Sequence, residues 1–355
     1  MTTVIYIRSL LQGGAEKQAL LLAEEMQKTA EVLLVVHTHD ASGAHQDHSR
    51  IRNIEFLQGG NAGKFFALYK ILRKNRVKNL ICFLPVNNIL GTFAGKLART
   101  PNILCGIRGS RSKGKVKTFL LKFICNTLKV RFISNNHRSR EVYIGMGFKA
   151  EQISVVHNGI TVPAANSSIQ RSIRNRDLFQ LAAVGRFIPE KDIPTLLQSI
   201  HYLVHELQFT RFRLTLAGYG PLENTILEQI SQLGLQDYIK IADGQTADLA
   251  QLYTAADLYI LTSAHEGMPN TVMEAMSYKL PVVSTDAGDA KYLVASGENG
   301  FLTGTGDFKS IAEGIAAVFE DEDRYEAFSR RSFEKISTAF STSALAAAYS
   351  KYLTK

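Results

Sequence analysis

The stretch of sequence that decides the fold is Leu181-Ala182-Ala183-Val184-Gly185-Arg186-Phe187-Ile188-Pro189-Glu190-Lys191-Asp192. Its first four residues are apolar and predict a short buried strand, and a glycine and two cations follow before the next helical pattern begins. Short β-branched runs alternate with helical patterns in the same way along the rest of the chain. This alternation is typical of an α/β fold with parallel sheets, in which such loops lie at the carboxyl ends of the strands.

This stretch opens the second of two α/β sets. Further strands of the second set are predicted at residues 213–217, 239–241, 257–261 and 281–284. In the first set, strands are predicted at residues 4–7, 32–36, 80–84, 103–105 and 131–134, with a helix from about Ala15. Residues 161–176 have no apolar period and predict an interdomain linker. We therefore expect an N-terminal domain over residues 1–165, a C-terminal domain over 177–340, and a last helix in 341–355 that packs back on the first domain.

Length and charge agree with two domains. The chain has 355 residues, of which 45% are hydrophobic, so it is long enough for two domains with buried cores and is neither disordered nor collagen-like. The net charge of +9 divides unevenly: residues 1–165 hold 24 basic and 9 acidic residues, and the remainder holds 17 basic and 23 acidic residues. A basic first half and an acidic second half indicate two domains with different partners.

The sequence favours a cytoplasmic protein. The first apolar run reaches Arg8 too early for a signal peptide, and no apolar run approaches the roughly 18–20 residues that span a bilayer. The three cysteines, Cys82, Cys105 and Cys125, lack CxxC spacing and are interpreted as reduced thiols.

Two strand-to-helix loops are candidates for anion binding. The glycines of the loop Gln12-Gly13-Gly14-Ala15-Glu16 leave the start of a helix open to a phosphate, although a tight turn explains them equally well. The second loop runs from Glu266 to Glu274 and leads into a helix that starts near Pro269 and Asn270. Its two carboxylates suit sugar hydroxyls beside a helix start that holds phosphate; the alternative is a capping acid and a surface acid.

Arg186 and Lys191 form a cationic pair at the end of a strand. Two fixed cations at this position neutralise a departing diphosphate without a metal. The alternative is a structural salt bridge from Lys191 to Glu190 or Asp192. The glycine-rich run 59–65 has the wrong spacing for a Walker loop, and no GxGxxG follows a strand, which argues against a nicotinamide dinucleotide site.

These motifs occur together and in order, and the chain resembles the retaining glycosyltransferases of family 4. The matching motifs are Gly13-Gly14-Ala15-Glu16, Asn158-Gly159-Ile160, Gly185-Arg186-Phe187 with Glu190-Lys191, Gly218-Tyr219-Gly220-Pro221, Glu266 with Glu274, and Gly297-Glu298-Asn299-Gly300. The resemblance implies the GT-B fold, in which two Rossmann-like domains face each other across a cleft. It also implies transfer of a hexose or N-acetylhexosamine from a nucleotide-diphospho-sugar, with UDP as the expected nucleotide.

The resemblance also implies the roles of individual residues. Arg186 and Lys191 would bind the donor diphosphate, Glu266 the donor sugar and Glu274 the ribose, with Glu266, Arg186 and Lys191 as the catalytic set. The complete donor-binding set is Gly13, Gly14, Arg186, Lys191, Glu266, Gly267, Met268, Pro269, Asn270, Thr271 and Glu274. Arg108 and His137 are acceptor-side candidates. Transfer would proceed with retention, without a metal and without a cofactor.

The segment 108–131 carries the densest positive charge. Its basic residues are Arg108, Arg111, Lys113, Lys115, Lys117, Lys122, Lys129 and Arg131, and its apolar residues Val116, Phe119, Leu120, Phe123, Ile124 and Leu128 recur at helical spacing. This pattern fits a helix at an anionic membrane surface, and equally a helix that faces the core and keeps a solvated basic face. No nucleic-acid-binding module accompanies the charge.

Histidines do not predict a metal site. The run His37-x-His39-Asp40, with His45 and His48 further on, does not match the dinuclear hydrolase pattern HxHxDH. A polar loop is the better interpretation.

The sequence thus predicts an enzyme of surface polysaccharide synthesis, such as capsule or lipopolysaccharide. Its saccharide acceptor is expected to be linked to a polyprenyl diphosphate, and its place is expected to be the inner face of the cytoplasmic membrane. Two alternatives stay open, a GT-B-type sugar-nucleotide epimerase and a non-catalytic, membrane-associated scaffold of a glycan assembly complex.

Overall fold

The computed structural model describes residues 2–11, 13–38, 47–108, 114–174 and 176–353. The chain divides into two compact units. Unit 1 comprises Met1–Thr161 and Phe340–Lys355, and unit 2 comprises Val162–Ala339. Each unit is an α/β structure around its own sheet.

The elements of unit 1 follow one another as strands and helices in alternation. In chain order they are β1 (Thr2–Ile7), α1 (Gly14–Met26), β2 (Glu31–Val36), β3 (Ile54–Phe56), α2 (Asn61–Lys74), β4 (Asn79–Phe83), α3 (Pro85–Leu97), β5 (Asn102–Ile107), α4 (Lys115–Asn126), β6 (Arg131–Ser134), α5 (His137–Gly145) and β7 (Ile153–Val155).

Unit 2 continues the alternation. Its elements are β8 (Phe179–Val184), α6 (Ile193–His205), β9 (Phe212–Gly218), α7 (Glu223–Gln232), β10 (Ile239–Asp243), α8 (Leu249–Ala255), β11 (Leu258–Leu261), α9 (Asn270–Ser277), β12 (Val282–Thr285), α10 (Ala290–Leu293), β13 (Gly300–Thr303), α11 (Phe308–Phe319) and α12 (Glu322–Ala339). The last helix, α13 (Thr342–Ser350), belongs to unit 1.

The sheet of unit 1 is parallel, with the strand order β3-β2-β1-β4-β5-β6-β7. Alternate side chains of its strands enter two different cores, because successive residues of a strand point to opposite faces. In β1, Val4 and Tyr6 join the core under α2 to α5, whereas Ile5 and Ile7 join the core under α1 and α13. Helices therefore cover both faces, which explains why the strands are continuous apolar runs.

The sheet of unit 2 is also parallel, with the strand order β10-β9-β8-β11-β12-β13. The chain runs outward from β8 to β10 and then crosses back to β11 on the other side of β8. Loops diverge at such a reversal and leave a crevice at the carboxyl ends of the two strands. In unit 2 this crevice lies where β8 and β11 end.

The predicted strands are confirmed, and three further strands were not predicted. These are β3 and β7, of three residues each, and β13, of four residues. β3 and β7 have only three residues and show too little alternation to be recognised, and β13 starts at Gly300, in a glycine-rich stretch typical of a turn. The helix predicted from about Ala15 begins at Gly14.

The segment predicted as a linker is attached to unit 2. Within it, residues 164–168 form a 3-10 turn, and the guanidinium of the buried Arg171 donates hydrogen bonds to backbone carbonyls of unit 2. The acceptors are the carbonyls of Tyr253 at 2.7 Å, Thr254 at 3.0 Å, Tyr278 at 2.9 Å and Ala256. Residues 162–171 therefore belong structurally to unit 2 rather than to a loose connection.

No helix within the described ranges combines the length and the apolar character that a membrane-spanning helix needs.

Replacing Arg171 with alanine tests this attachment. Arg171→Ala leaves buried carbonyls without donors, so we expect the free energy of unfolding of unit 2 to fall by about 2–4 kcal/mol. The measurement is urea unfolding followed by circular dichroism. Arg174→Ala removes an exposed arginine of the same segment and should change stability by less than about 0.5 kcal/mol. Equal losses in the two variants would contradict the attachment.

Candidate active site

The predicted donor residues of unit 2 lie on loops at one edge of its sheet. Residues 185–192 follow β8, residues 262–269 follow β11 and residues 286–289 follow β12. These three strands are neighbours in the sheet, and parallel strands end at the same edge. The fold thus brings together loops that are up to about a hundred residues apart in sequence.

In the loop after β8, Arg186 is exposed because the next residue, Phe187, is buried. Phe187 is fully buried, and its backbone N–H donates to the carbonyl of Tyr219 at 2.8 Å. A Cβ on Gly220, whose φ is +150°, would lie 2.6 Å from the carbonyl oxygen of Phe187. The Gly218-x-Gly220 motif is therefore required for close approach of two loops, and Arg186 is left exposed.

Lys191 and Glu266 form an ion pair between the loops after β8 and β11. Lys191 Nζ lies 2.5 Å from Glu266 Oε1, and the side chains are only 19% and 13% exposed. Ser263 Oγ donates to the same carboxylate oxygen at 2.8 Å. The sequence offered Glu190 and Asp192 as partners of Lys191, but the structure pairs it with the predicted sugar-binding carboxylate.

The two acidic residues next to Lys191 in sequence, Glu190 and Asp192, make other contacts. Asp192 has a φ of +46° and caps α6: its Oδ1 accepts from the backbone N–H of Thr195 at 3.4 Å, and its Oδ2 accepts from the Thr195 hydroxyl at 2.7 Å. The backbone carbonyl of Glu190 accepts from the N–H of Ala264 at 3.0 Å. The loop after β8 is therefore bonded to the loop after β11 by backbone as well as by the ion pair.

The strand β12 supports the same loop from the other side. Thr285 Oγ1 donates to the carbonyl of Ser263 at 2.7 Å, and the N–H of Asp289 donates to the carbonyl of Gly267 at 2.9 Å. Gly288 has a φ of +64°, and a Cβ there would lie 2.5 Å from the carbonyl oxygen of Gly267. No sequence motif marks Gly288 beyond its position shortly after a predicted strand of the second set.

The helix α9 begins where the predicted phosphate-binding residues lie. Asn270 is its first residue and Pro269 occupies the N-cap without a side-chain hydrogen bond. Met268 is buried and fixes the loop, while the backbone N–H groups of the first turn form a positive end for an anion.

Glu274 lies one turn into α9 and is half-buried. The hydroxyl of Tyr253 lies 3.4 Å from its Oε2. Burial raises the pKa of Tyr253 well above its ordinary value, so this hydroxyl keeps its proton and donates to the carboxylate.

Unit 2 therefore offers two kinds of group at one edge. Arg186, Lys191 and the start of α9 attract negative charge, and Glu266 and Glu274 accept hydrogen bonds from hydroxyls. A ligand that contains both a diphosphate and sugar hydroxyls would satisfy both kinds.

The remaining predicted residues lie in unit 1. Gly13 precedes α1 with an extended backbone, and Gly14 is the first residue of that helix. His137 is the first residue of α5, and its ring centroid lies 5.4 Å from that of His157. Gln12 lies outside the described residues.

Arg108 holds the C-terminal helix in unit 1. Its guanidinium donates to Asn158 Oδ1 at 2.8 Å and to the Tyr349 hydroxyl at 2.9 Å, and it lies 4.8 Å above the ring of Phe83. The predicted acceptor-side residue is thus bound to α13, a contact 241 residues away in sequence.

The Asn-Gly-Ile motif fixes the point where the chain leaves and re-enters unit 1. The side-chain amide of Gln18 donates to the carbonyl of Gly159 and accepts from its N–H, both at 2.8 Å. The N–H of Ile160 donates to the carbonyl of Phe340 at 2.9 Å. The outgoing and returning segments are therefore paired.

Of the histidine run, His37 is buried and its Nδ1 lies 2.5 Å from the hydroxyl of Tyr6. Burial lowers the pKa of His37, which keeps the ring neutral. His39, Asp40 and His45 lie outside the described residues.

Comparisons with known proteins identify the class of protein. The family model described as "Glycosyl transferases group 1" matches residues 166–335. The chain is 25% identical to the capsular polysaccharide biosynthesis glycosyltransferase CapM of Staphylococcus aureus, over 73% of this chain and 71% of that protein. It is 24% identical to the UDP-Gal:alpha-D-GlcNAc-diphosphoundecaprenol alpha-1,3-galactosyltransferase of Escherichia coli, over 76% of this chain and 73% of that protein. A crystal structure of Anabaena HepE in complex with UDP superposes with a TM-score of 0.79 and 20% identity, over 99% of both chains.

The chain is therefore a glycosyltransferase, and residues 166–335, all within unit 2, match the model of glycosyl transferases group 1. The predicted fold class, GT-B with two Rossmann-like halves, is confirmed. Its number within the classification, family 4, stays a prediction.

The close approach at Gly288 can be tested by stability. Gly288→Ala places a methyl group against the carbonyls of the loop that carries Glu266, so we expect a loss of about 2–4 kcal/mol in the free energy of unfolding. Gly297→Ala is the matched control, because Gly297 also has a positive φ, of +78°, but lies in open space. The control should lose only about 1 kcal/mol, the cost of the backbone conformation. Chemical denaturation measures both, and a control that loses as much as Gly288→Ala would refute the packing role.

Proposed function

We propose that the protein transfers a hexose or N-acetylhexosamine from a UDP-sugar to a lipid-linked saccharide, with retention and without a metal. The observation that carries this proposal is the ion pair between Lys191 and Glu266 beside the start of α9. It puts a cation for the diphosphate and a carboxylate for the sugar in direct contact. A donor that joins diphosphate to sugar has the same two groups side by side.

Each donor group has a partner in unit 2. Arg186 and Lys191 bind the diphosphate, and the backbone N–H groups of residues 268–271 add hydrogen bonds to phosphate and sugar. Glu266 accepts from sugar hydroxyls, and Glu274 accepts from the ribose. The Anabaena structure contains UDP, which supports UDP as the nucleotide.

Fixed charge replaces a metal in this proposal. Negative charge develops on the diphosphate as the glycosidic bond breaks, and two cations and a helix start stabilise it without reorganisation. Glu266 is held by Lys191 and Ser263, which suits a carboxylate that positions the sugar rather than one that attacks it. The departing diphosphate oxygen then assists deprotonation of the acceptor on the same face, which gives retention.

Unit 1 binds the acceptor. Gly13 and Gly14 form the start of α1, where the carboxylate of Glu16 lies beside Gly13, and His137 lies at the start of a second helix. Arg108 acts as a positioning residue, because Asn158 and Tyr349 occupy its guanidinium. The E. coli relative is named for a diphosphoundecaprenol-linked acceptor, which supports a lipid-linked saccharide and a place at the inner face of the cytoplasmic membrane, reached through segment 108–131.

Titration calorimetry with UDP tests the donor site. We expect Arg186→Ala to weaken UDP binding about 10–100-fold, because a charge-assisted contact to phosphate is lost. Arg213→Ala, an exposed arginine on the neighbouring strand β9, should change binding less than about twofold. Unchanged UDP affinity in Arg186→Ala would overturn the assignment of the diphosphate site.

The reaction itself is tested with UDP-glucose, UDP-galactose and their N-acetylated forms on lipid-linked saccharides from a membrane extract. We expect transfer from one of them to persist in excess EDTA, and proton NMR of the product to show the anomeric configuration of the donor. Loss of transfer in EDTA that Mg²⁺ or Mn²⁺ restores would contradict the metal-independent mechanism. An inverted product would contradict retention.

A further inference from the structure

The helices α2, α3 and α4 form one layer on one face of the unit 1 sheet. Their buried side chains, among them Leu68, Ala94 and Ile124, belong to a single core. The helix α3 packs against α2 on one side and α4 on the other. Their outward surfaces therefore form a continuous face, here called the basic face.

This face exposes large apolar side chains on each of its three helices. They are Phe66 on α2, Phe93 and Leu97 on α3, and Val116, Phe119 and Phe123 on α4. Val116 is 73% exposed and Phe119 is 68% exposed, although both belong to a helix whose other side is core. The sequence pattern of this segment predicts either a membrane helix or a core helix, and α4 has a side suited to each.

The three helices that form this face contain no acidic residue, although Glu31 and Glu55 line a groove with the α2 residues Lys70, Arg73 and Lys74. The sequence contains none between Glu55 and Glu141, whereas that stretch holds 18 lysines and arginines. The three helices carry eight of them, namely Lys64, Lys70, Arg73, Lys74, Lys96, Lys115, Lys117 and Lys122. On the opposite side of the sheet, α1 carries Glu16, Glu24 and Glu25. The helices of the basic face therefore carry cations without acids, whereas cations and acids are mixed on the opposite side of unit 1.

We infer that the basic face, and not α4 alone, docks on an anionic lipid bilayer. Lysines around exposed phenylalanines match an interface where anionic headgroups lie above acyl chains, because each kind of side chain meets its own environment. Nucleic acid would bind the charge but would leave the apolar side chains in water. The inference rests on the proposed function only in that a lipid-linked acceptor gives unit 1 a reason to be at the membrane.

Vesicle flotation at low salt tests this surface. The probes are vesicles of phosphatidylcholine alone and vesicles that also contain phosphatidylglycerol, with the full chain. We expect binding only to the anionic vesicles, and binding that weakens steeply as salt rises.

Variants of two helices separate a face from a single helix. Phe93→Ser with Leu97→Ser on α3, and Val116→Ser with Phe119→Ser on α4, should each weaken vesicle binding by at least about tenfold, because each removes two membrane-inserted side chains. The control is Leu227→Ser, which removes a side chain of 46% exposure from α7 in unit 2 and should change binding less than about twofold. Lys115→Glu with Lys117→Glu should also abolish binding, whereas Lys240→Glu on β10 should not.

Several results would overturn the inference. Full vesicle binding by the α3 variant would confine docking to α4, and equal binding to neutral vesicles would exclude recognition of anionic lipid. Absence of binding to the anionic vesicles would exclude the surface altogether. Calorimetry with UDP on the same variants shows whether unit 2 is intact, so a failure of docking is distinguished from a failure of the donor site.

Discussion

The ion pair between Lys191 and Glu266 joins two loops that are 75 residues apart in sequence and adjacent at the edge of the unit 2 sheet. Both side chains are largely withdrawn from water, where an uncompensated charge would be costly, so each needs the other. The pair sets the spacing between a cation and a carboxylate. Arg186 lies on the same loop as Lys191, and α9 begins at the end of the loop that carries Glu266. For a ligand with a diphosphate next to a sugar, this arrangement exists before binding. Less conformational entropy is therefore lost when the ligand binds.

The topology of the sheet makes this contact possible. Because the chain reverses between β8 and β11, their following loops diverge and leave room at the carboxyl ends of the strands. Backbone bonds from Ala264 and Asp289 and the lack of a side chain at Gly288 then keep the loops close. The proposed binding residues thus lie on short loops that rigid strands position, which favours a preorganised site. Unit 1 has the same architecture, but its distinctive feature is the basic face formed by α2, α3 and α4.

Much of the fold and of unit 2's candidate site follows from the sequence. An apolar run followed by a glycine and a cation predicts a buried strand and, at its carboxyl end, a loop that carries a positive charge. The partners of the side chains do not follow. Lys191 has acids on both sides in sequence, yet Asp192 caps a helix and Lys191 reaches Glu266, a choice that only the strand order decides. Arg108 likewise contacts Tyr349, which no local pattern links to it. Short strands such as β13 escape detection because pairing, rather than propensity, makes them strands.

Hydrogen exchange measured by mass spectrometry, with and without UDP, tests the central claim most directly. If the diphosphate binds where Lys191 meets Glu266, UDP slows exchange in peptides that cover residues 185–192 and 262–274. These loops are bonded to each other, so both should be protected together. Protection by saturating UDP that is absent from both segments, or that occurs only in unit 1, would contradict the account.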